Sequence, residues 1–114
     1  MTDVVYKLVD RPSWTAAEAA GVFTGSPVDA RDGFIHFSTA AQVRETAARH
    51  FAGQRDLLLV AVDAARLGDG LRWEPSRGGA LFPHLYRPLL LDAVRSVVDV
   101  PLDAAGVHAF PATL

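Results

Sequence analysis

Gly33-Phe34-Ile35-His36-Phe37-Ser38-Thr39 is the stretch on which the fold turns. At strand periodicity Phe34, His36 and Ser38 point one way, while Ile35 and Phe37 point the other. With Ile35 and Phe37 on a core, His36 and Ser38 share the second face at the strand's end. The turn residues Asp32-Gly33 lead into this strand, and Ser38 or Thr39 caps a helix immediately after it. Thr39-Ala40-Ala41-Gln42 has capping-box spacing, and Val43, Ala47 and Phe51 recur on one helical face before Gly53 ends the helix. A helix N-terminus carries free N–H groups and partial positive charge, which suit a phosphate or carboxylate. His36 therefore either meets a ligand there or hydrogen-bonds within the fold.

Outward from this stretch, the chain alternates strands with few helices. Val4-Val5-Tyr6-Lys7-Leu8-Val9 is β-branched and aromatic, a first strand. Ser13 to Ala20 predicts a short helix, with Thr15 and Glu18 at capping-box spacing and Gly21 as terminator. The segment from Thr24 to Gly33 is dense in turn formers and predicts a loop. Leu57 to Val62 is almost purely apolar, as expected of a strand covered on both faces. Leu71 to Glu74 alternates as a half-buried strand, Gly78-Gly79 marks a turn, and Val94 to Val100 gives a last strand. The tail from Pro101 predicts a loosely packed end, with His108 exposed. His50 ends the second helix, where a cationic ring suits the helix dipole. The pattern is α+β.

Composition narrows the function classes. The chain has 114 residues, half of them hydrophobic, with no cysteine and a formal net charge of −2. One domain is expected, with a single core. The charge argues against a general nucleic-acid binder. Without cysteine there is no disulfide framework, thiolate nucleophile or thiolate zinc site. No signal-peptide pattern or membrane-length apolar run is present, so a cytoplasmic protein is expected, with no membrane partner.

Two further strings carry chemistry. In Leu71-Arg72-Trp73-Glu74, Arg72 and Glu74 share the face opposite Leu71 and Trp73. Glu74, followed by Ser76 and Arg77, suits a ribose hydroxyl or general-base work; the structural alternative is a surface ion pair of Glu74 with Arg72 or Arg77. In Phe82-Pro83-His84-Leu85-Tyr86, His84 and Tyr86 project together. A tyrosine ring can stack on a base while its hydroxyl hydrogen-bonds, or it can serve the core. His36, His84 and Glu74 are enough for a three-ligand metal site, but no HxH or HExxH spacing supports one, so no metal is expected. No Gly-x-Ser-x-Gly elbow makes Ser38 a nucleophile.

Taken jointly, Asp32-Gly33-Phe34-Ile35-His36-Phe37-Ser38-Thr39 with Gln42, Trp73-Glu74, and Phe82-Pro83-His84-Leu85-Tyr86 resemble the bacterial family called domain of unknown function 952. The resemblance runs from Tyr6 to about Val100. It implies an ADP-ribosyltransferase-like fold, with split antiparallel sheets gripping NAD or an ADP-ribose-like ligand, to which the residue pattern adds two helices in the N-terminal half. It further implies a cleft lined by His36, Ser38, Glu74, Arg77, His84 and Tyr86. Glu74 would hold a ribose hydroxyl and stabilise an oxocarbenium-like transition state, Tyr86 would stack on the leaving base, and His36 would orient ribose or phosphate. Lys7 stands where a ribose-holding histidine is expected and would meet a phosphate instead. Arg87 stands where a glycine is expected. Fold resemblance alone leaves open a non-catalytic binding module on the same cleft, or a metal-assisted hydrolase using His36 and His84.

Overall fold

The computed structural model describes residues 3–114. In chain order its elements are β1 (Val4–Asp10), α1 (Arg11–Ala20), β2 (Val22–Phe23), α2 (Pro27–Asp32), β3 (Ile35–His36), α3 (Val43–His50), β4 (Leu57–Asp63), β5 (Leu71–Pro75), β6 (Leu81–Leu85), β7 (Leu89–Leu90) and β8 (Val94–Asp99). Three short 3-10 turns lie between the later strands. Every strand pairing is antiparallel: one sheet runs β1-β4-β8, a second runs β3-β6-β5, and β2 pairs with β7. The α+β expectation holds. No helix among the described residues is long and apolar enough to cross a membrane.

β4 is the central strand, and its alternation divides the interior. Leu58, Val60 and Val62 face a core with Val5, Val9, Trp14, Phe23, Ile35, Phe37, Leu85 and Leu89. Leu57 and Leu59 face a second core with Leu8, Val43, Ala47 and Val100. Burial on both faces accounts for the unbroken apolar run. Burying each leucine contributes about 2 kcal/mol relative to leaving it exposed, so these two faces hold the sheet to its covering helices.

The two larger sheets join at one point. Phe37 N–H donates to Pro83 C=O at 3.0 Å, and Ser38 then exchanges two 2.8 Å backbone hydrogen bonds with Tyr6. The chain from Ile35 to Ser38 thus leaves β6 and meets β1. Ser38 does not cap the next helix: its Oγ lies 2.9 Å from Thr46 Oγ1. The capping pair is Thr39 and Gln42, whose side chains each accept from the other's backbone N–H.

Other local readings also shift. α1 begins at Arg11, not Ser13, because Asp10 accepts from Ser13 N–H at 3.0 Å and Pro12 fits the first turn. The Thr15–Glu18 spacing caps nothing. The expected loop from Thr24 to Gly33 contains α2, a third helix in the N-terminal half, after which Gly33 ends it with φ +86°. The tail is tied down: Leu102 bridges His108, whose Nε2 lies 2.8 Å from Gln54 C=O, and Phe110 and Leu114 pack on the second core.

Gly25 shapes the approach to α2. Its φ is +114°, and a Cβ there would lie 2.9 Å from Asp29 Cβ and 3.3 Å from Asp29 Oδ2. At Gly33 a Cβ would meet nothing within 4 Å, so only backbone strain opposes it. Gly33→Ala is therefore expected to cost about 1 kcal/mol, and Gly25→Ala clearly more. Urea unfolding of both variants checks the order; equal losses would mean that Asp29 is not confined by the Gly25 turn.

Candidate functional site

Antiparallel register brings the separated strings together. His36 on β3 pairs directly with His84 on β6, and Arg72 on β5 pairs with His84 from the other side. Glu74, two residues along the same face as Arg72, reaches His84 diagonally. Phe34 lies just ahead of β3 and Tyr86 just beyond β6, and alternation keeps both on this face. Their rings form one aromatic floor: Phe34 stacks on His84 at 4.0 Å between centroids, with Tyr86 at 5.2 Å and His36 at 4.5 Å. The two imidazoles meet edge-on at 5.6 Å.

Each histidine has its Nδ1 against a carboxylate. His84 Nδ1 is 2.8 Å from Glu74 Oε1, and the same oxygen accepts the Tyr86 hydroxyl at 2.6 Å. The Tyr86 hydrogen bond first, and that of His84 second, hold the Glu74 carboxyl below its usual range, while Glu74 pushes the Tyr86 phenol up. The expected surface pair of Glu74 with Arg72 gives way to these hydrogen bonds. Arg72 instead lies over the Tyr86 ring, 5.7 Å from its centroid. The His84 side chain is only 6 % exposed. Its Nε2 makes no hydrogen bond among the described residues.

His36 Nδ1 lies 2.6 Å from Asp29 Oδ1, and its Nε2 lies 3.0 Å from Asp32 Oδ2. Asp29 is a residue that sequence reasoning missed. Its carboxylate also takes Lys7 Nζ at 2.9 and 3.1 Å, the His36 N–H at 3.1 Å and the Ser26 N–H at 2.8 Å. Burial alone would push this carboxyl up; the His36 hydrogen bond, the Lys7 charge and the Ser26 N–H outweigh it and hold the group well below the carboxylate range. Burial pushes the Lys7 ammonium down, and Asp29 offsets only part of that. The Ser26-Pro27-Val28-Asp29 string did carry a signal. A serine, a proline at the first helical position and an acid three residues later mark a helix start.

The other expected site residues are dispersed. Lys7 belongs to the Asp29 network as an internal ion pair, 6 % exposed. Ser38 faces Thr46 rather than the histidines. The backbone of Arg77 opens a 3-10 turn after β5, and its side chain lies outside the described residues. Arg87 lies over Gly70 and donates to Arg66 C=O at 3.2 Å, a role in bracing the turn before β5. Among the described residues no three His, Asp or Glu side chains gather as a metal cluster. Two surface hollows, of about 250 and 230 Å³, lie elsewhere, one between α1 and β8 and one between α3 and the tail.

The same fold occurs in solved structures. The model of a protein family of unknown function, DUF952, matches residues 8–97. The chain belongs to the DUF952 family. It is similar to protein CC0527 from Caulobacter crescentus, whose X-ray structure is 55 % identical over 93 % of each chain with a TM-score of 0.89. The solution NMR structure of CC0527 is 56 % identical over 91 % of this chain and 90 % of that one, with a TM-score of 0.82. No curated protein matches the chain. The matched segment contains all three strings.

The Lys7–Asp29 pair is enclosed on both sides. Removing one partner of a buried pair costs about 3–5 kcal/mol, because the other charge is left uncompensated. Asp29→Asn is expected to fall in that range, and Lys7→Met with Asp29→Asn to lose much less than the sum of the two single changes. Because the folded Asp29 carboxyl sits below its unfolded value, its contribution is complete above the unfolded carboxylate range, about pH 4, and is lost as pH falls below it. Urea unfolding against pH should therefore show a shallower acid loss in the double variant. An unchanged slope would remove Asp29 as a source of acid sensitivity.

Proposed function

We propose that this chain is a nucleotide-handling enzyme with an ADP-ribosyltransferase-like fold that binds the ribose of NAD or of an ADP-ribose-like ligand. One observation carries the reading: Glu74 Oε1 accepts from both His84 Nδ1 and Tyr86 Oη beside the aromatic floor of Phe34, His84 and Tyr86. Glu74 is thereby an ionised, fixed acceptor whose second oxygen makes no hydrogen bond among the described residues. An ionised carboxylate accepts hydroxyl hydrogens, and a flat aromatic surface beside it takes a planar base. The two separate antiparallel sheets, bridged at Ser38, support the fold assignment.

In this reading Glu74 holds a ribose hydroxyl and favours the oxocarbenium-like state through charge. The glycosidic C–N bond breaks with its electron pair leaving on the base, against Tyr86. A water or acceptor hydroxyl then bonds to the anomeric carbon, and its proton passes to His84 Nε2, the nitrogen left by the Glu74 contact. His36 orients the ribose or a phosphate. The ligand is a small molecule, and neither a nucleic acid nor a membrane is required. The second reading is a binding module without chemistry. The observation favouring it is the use of Lys7 inside the fold on Asp29, which takes that cation from the ligand.

The experiment is a thermal-shift titration with NAD, ADP-ribose, nicotinamide and ADP, followed by an assay for released nicotinamide. A native-state ligand raises Tm with concentration. The proposal expects a shift with NAD or ADP-ribose, and Glu74→Gln lowering turnover about 100-fold with binding nearly retained. A shift without product selects the binding module. No shift at millimolar ligand rejects the nucleotide reading.

A further inference from the structure

We propose that Asp29 is the positioning residue of His36, and that Asp32 is a displaceable cover over the ring's other nitrogen. This deepens the reading above, in which His36 meets the ligand, and rests on it only for what that ligand is. The two carboxylates on this one imidazole differ in nearly every physical respect. Asp29 Oδ1 holds both the ring, at 2.6 Å, and the backbone N–H of His36, at 3.1 Å. Its side chain is 1 % exposed and is itself fixed by Lys7 and the Ser26 N–H. Both carboxylates are ionised and only accept, so the ring presents N–H from Nδ1 to Asp29 and from Nε2 to Asp32, and Nε2, at the exposed carboxylate, is the nitrogen that can change partners.

Nε2 faces Asp32 Oδ2 at 3.0 Å, with both side chains about one-third exposed. Asp32 is the last residue of α2, followed by the turn at Gly33, and its other partner is Arg31, also at the surface. Contacts of this exposed kind contribute little to stability, so a ligand hydroxyl can replace Asp32. Asp29 has no comparable freedom, because leaving would strand Lys7. A buried carboxylate behind a histidine and an exchangeable one in front are what a pre-aimed but covered hydrogen-bonding group requires.

The test reads the reactivity of His36 in ligand-free protein, so its outcome is independent of the nucleotide reading. Diethylpyrocarbonate acylates an unprotonated ring nitrogen, with ethyl carbonate leaving, and peptide mass spectrometry resolves His36 from His50, His84 and His108. Asp32→Ala is expected to raise the His36 rate several-fold by removing the carboxylate that covers Nε2 and holds its proton. Asp29→Asn, made with Lys7→Met so that no charge is stranded, is expected to lower it roughly tenfold, because the amide of the new asparagine can donate to Nδ1 and leave the ring proton on Nε2. A purely structural Asp29 predicts the reverse, since a loosened ring reacts faster. An unchanged rate in Asp32→Ala overturns the cover, and a faster rate in the Asp29 pair overturns the positioning role. Asp32→Ala, at the surface, decides its half even if the buried pair fails to fold.

Discussion

The buried contact between Lys7 and Asp29 is the constraint around which the site is arranged. On β1, Val5, Lys7 and Val9 share the face turned to the first core, and Lys7 stands opposite the fully buried Val60 on β4. A lone ammonium in that position would be very costly. Asp29 makes it tolerable, but only if a carboxylate reaches the core side of β1. The short helix α2 supplies it, entered through a tight turn at Gly25 and held by Ser26. The same carboxylate then sets the backbone and ring of His36. One electrostatic requirement thus fixes a helix, a turn and a functional side chain together.

The remainder of the site comes from sheet register. β6 lies between β3 and β5, so His84 has His36 on one side and Arg72 on the other. Period-two alternation then sorts the side chains. Leu85 and Ile35 turn to the core, while His84, Glu74 and Tyr86 gather on the opposite face with Phe34. Strands hold groups more narrowly than loops do, and each ring here is also stacked or hydrogen-bonded. The high similarity to CC0527 places this same scaffold in an experimental structure of a relative.

Electrostatically the two histidines are near mirror images with different surroundings. Each offers Nδ1 to a carboxylate. Asp29 is enclosed and paired with a cation, whereas Glu74 is partly exposed and shares its oxygen with a phenol. The first arrangement favours permanence. The second leaves the carboxylate within reach of a ligand, which is why Glu74 rather than Asp29 carries the proposed chemistry.

Much of the fold is legible in local residue patterns. β1, β4 and β8 follow from β-branched and apolar runs, and α3 from the spacing of Val43 and Ala47, because these patterns report burial that is repeated along one element. The pairing of Arg72 with Glu74 on one face, and of His84 with Tyr86, also follows from alternation alone. Two-residue strands such as β2 and β7 leave no such trace, since pairing makes them rather than propensity. The residue order alone thus settles which side chains share a face, since side-chain direction is a local property of the backbone. Which faces meet is a matter of tertiary packing: that Lys7 lies inside, that Asp29 joins it to His36, and that Ser38 joins two sheets instead of capping a helix. Those outcomes depend on desolvating a charge and on hydrogen-bond partners distant in the chain, and neither is visible within a local window.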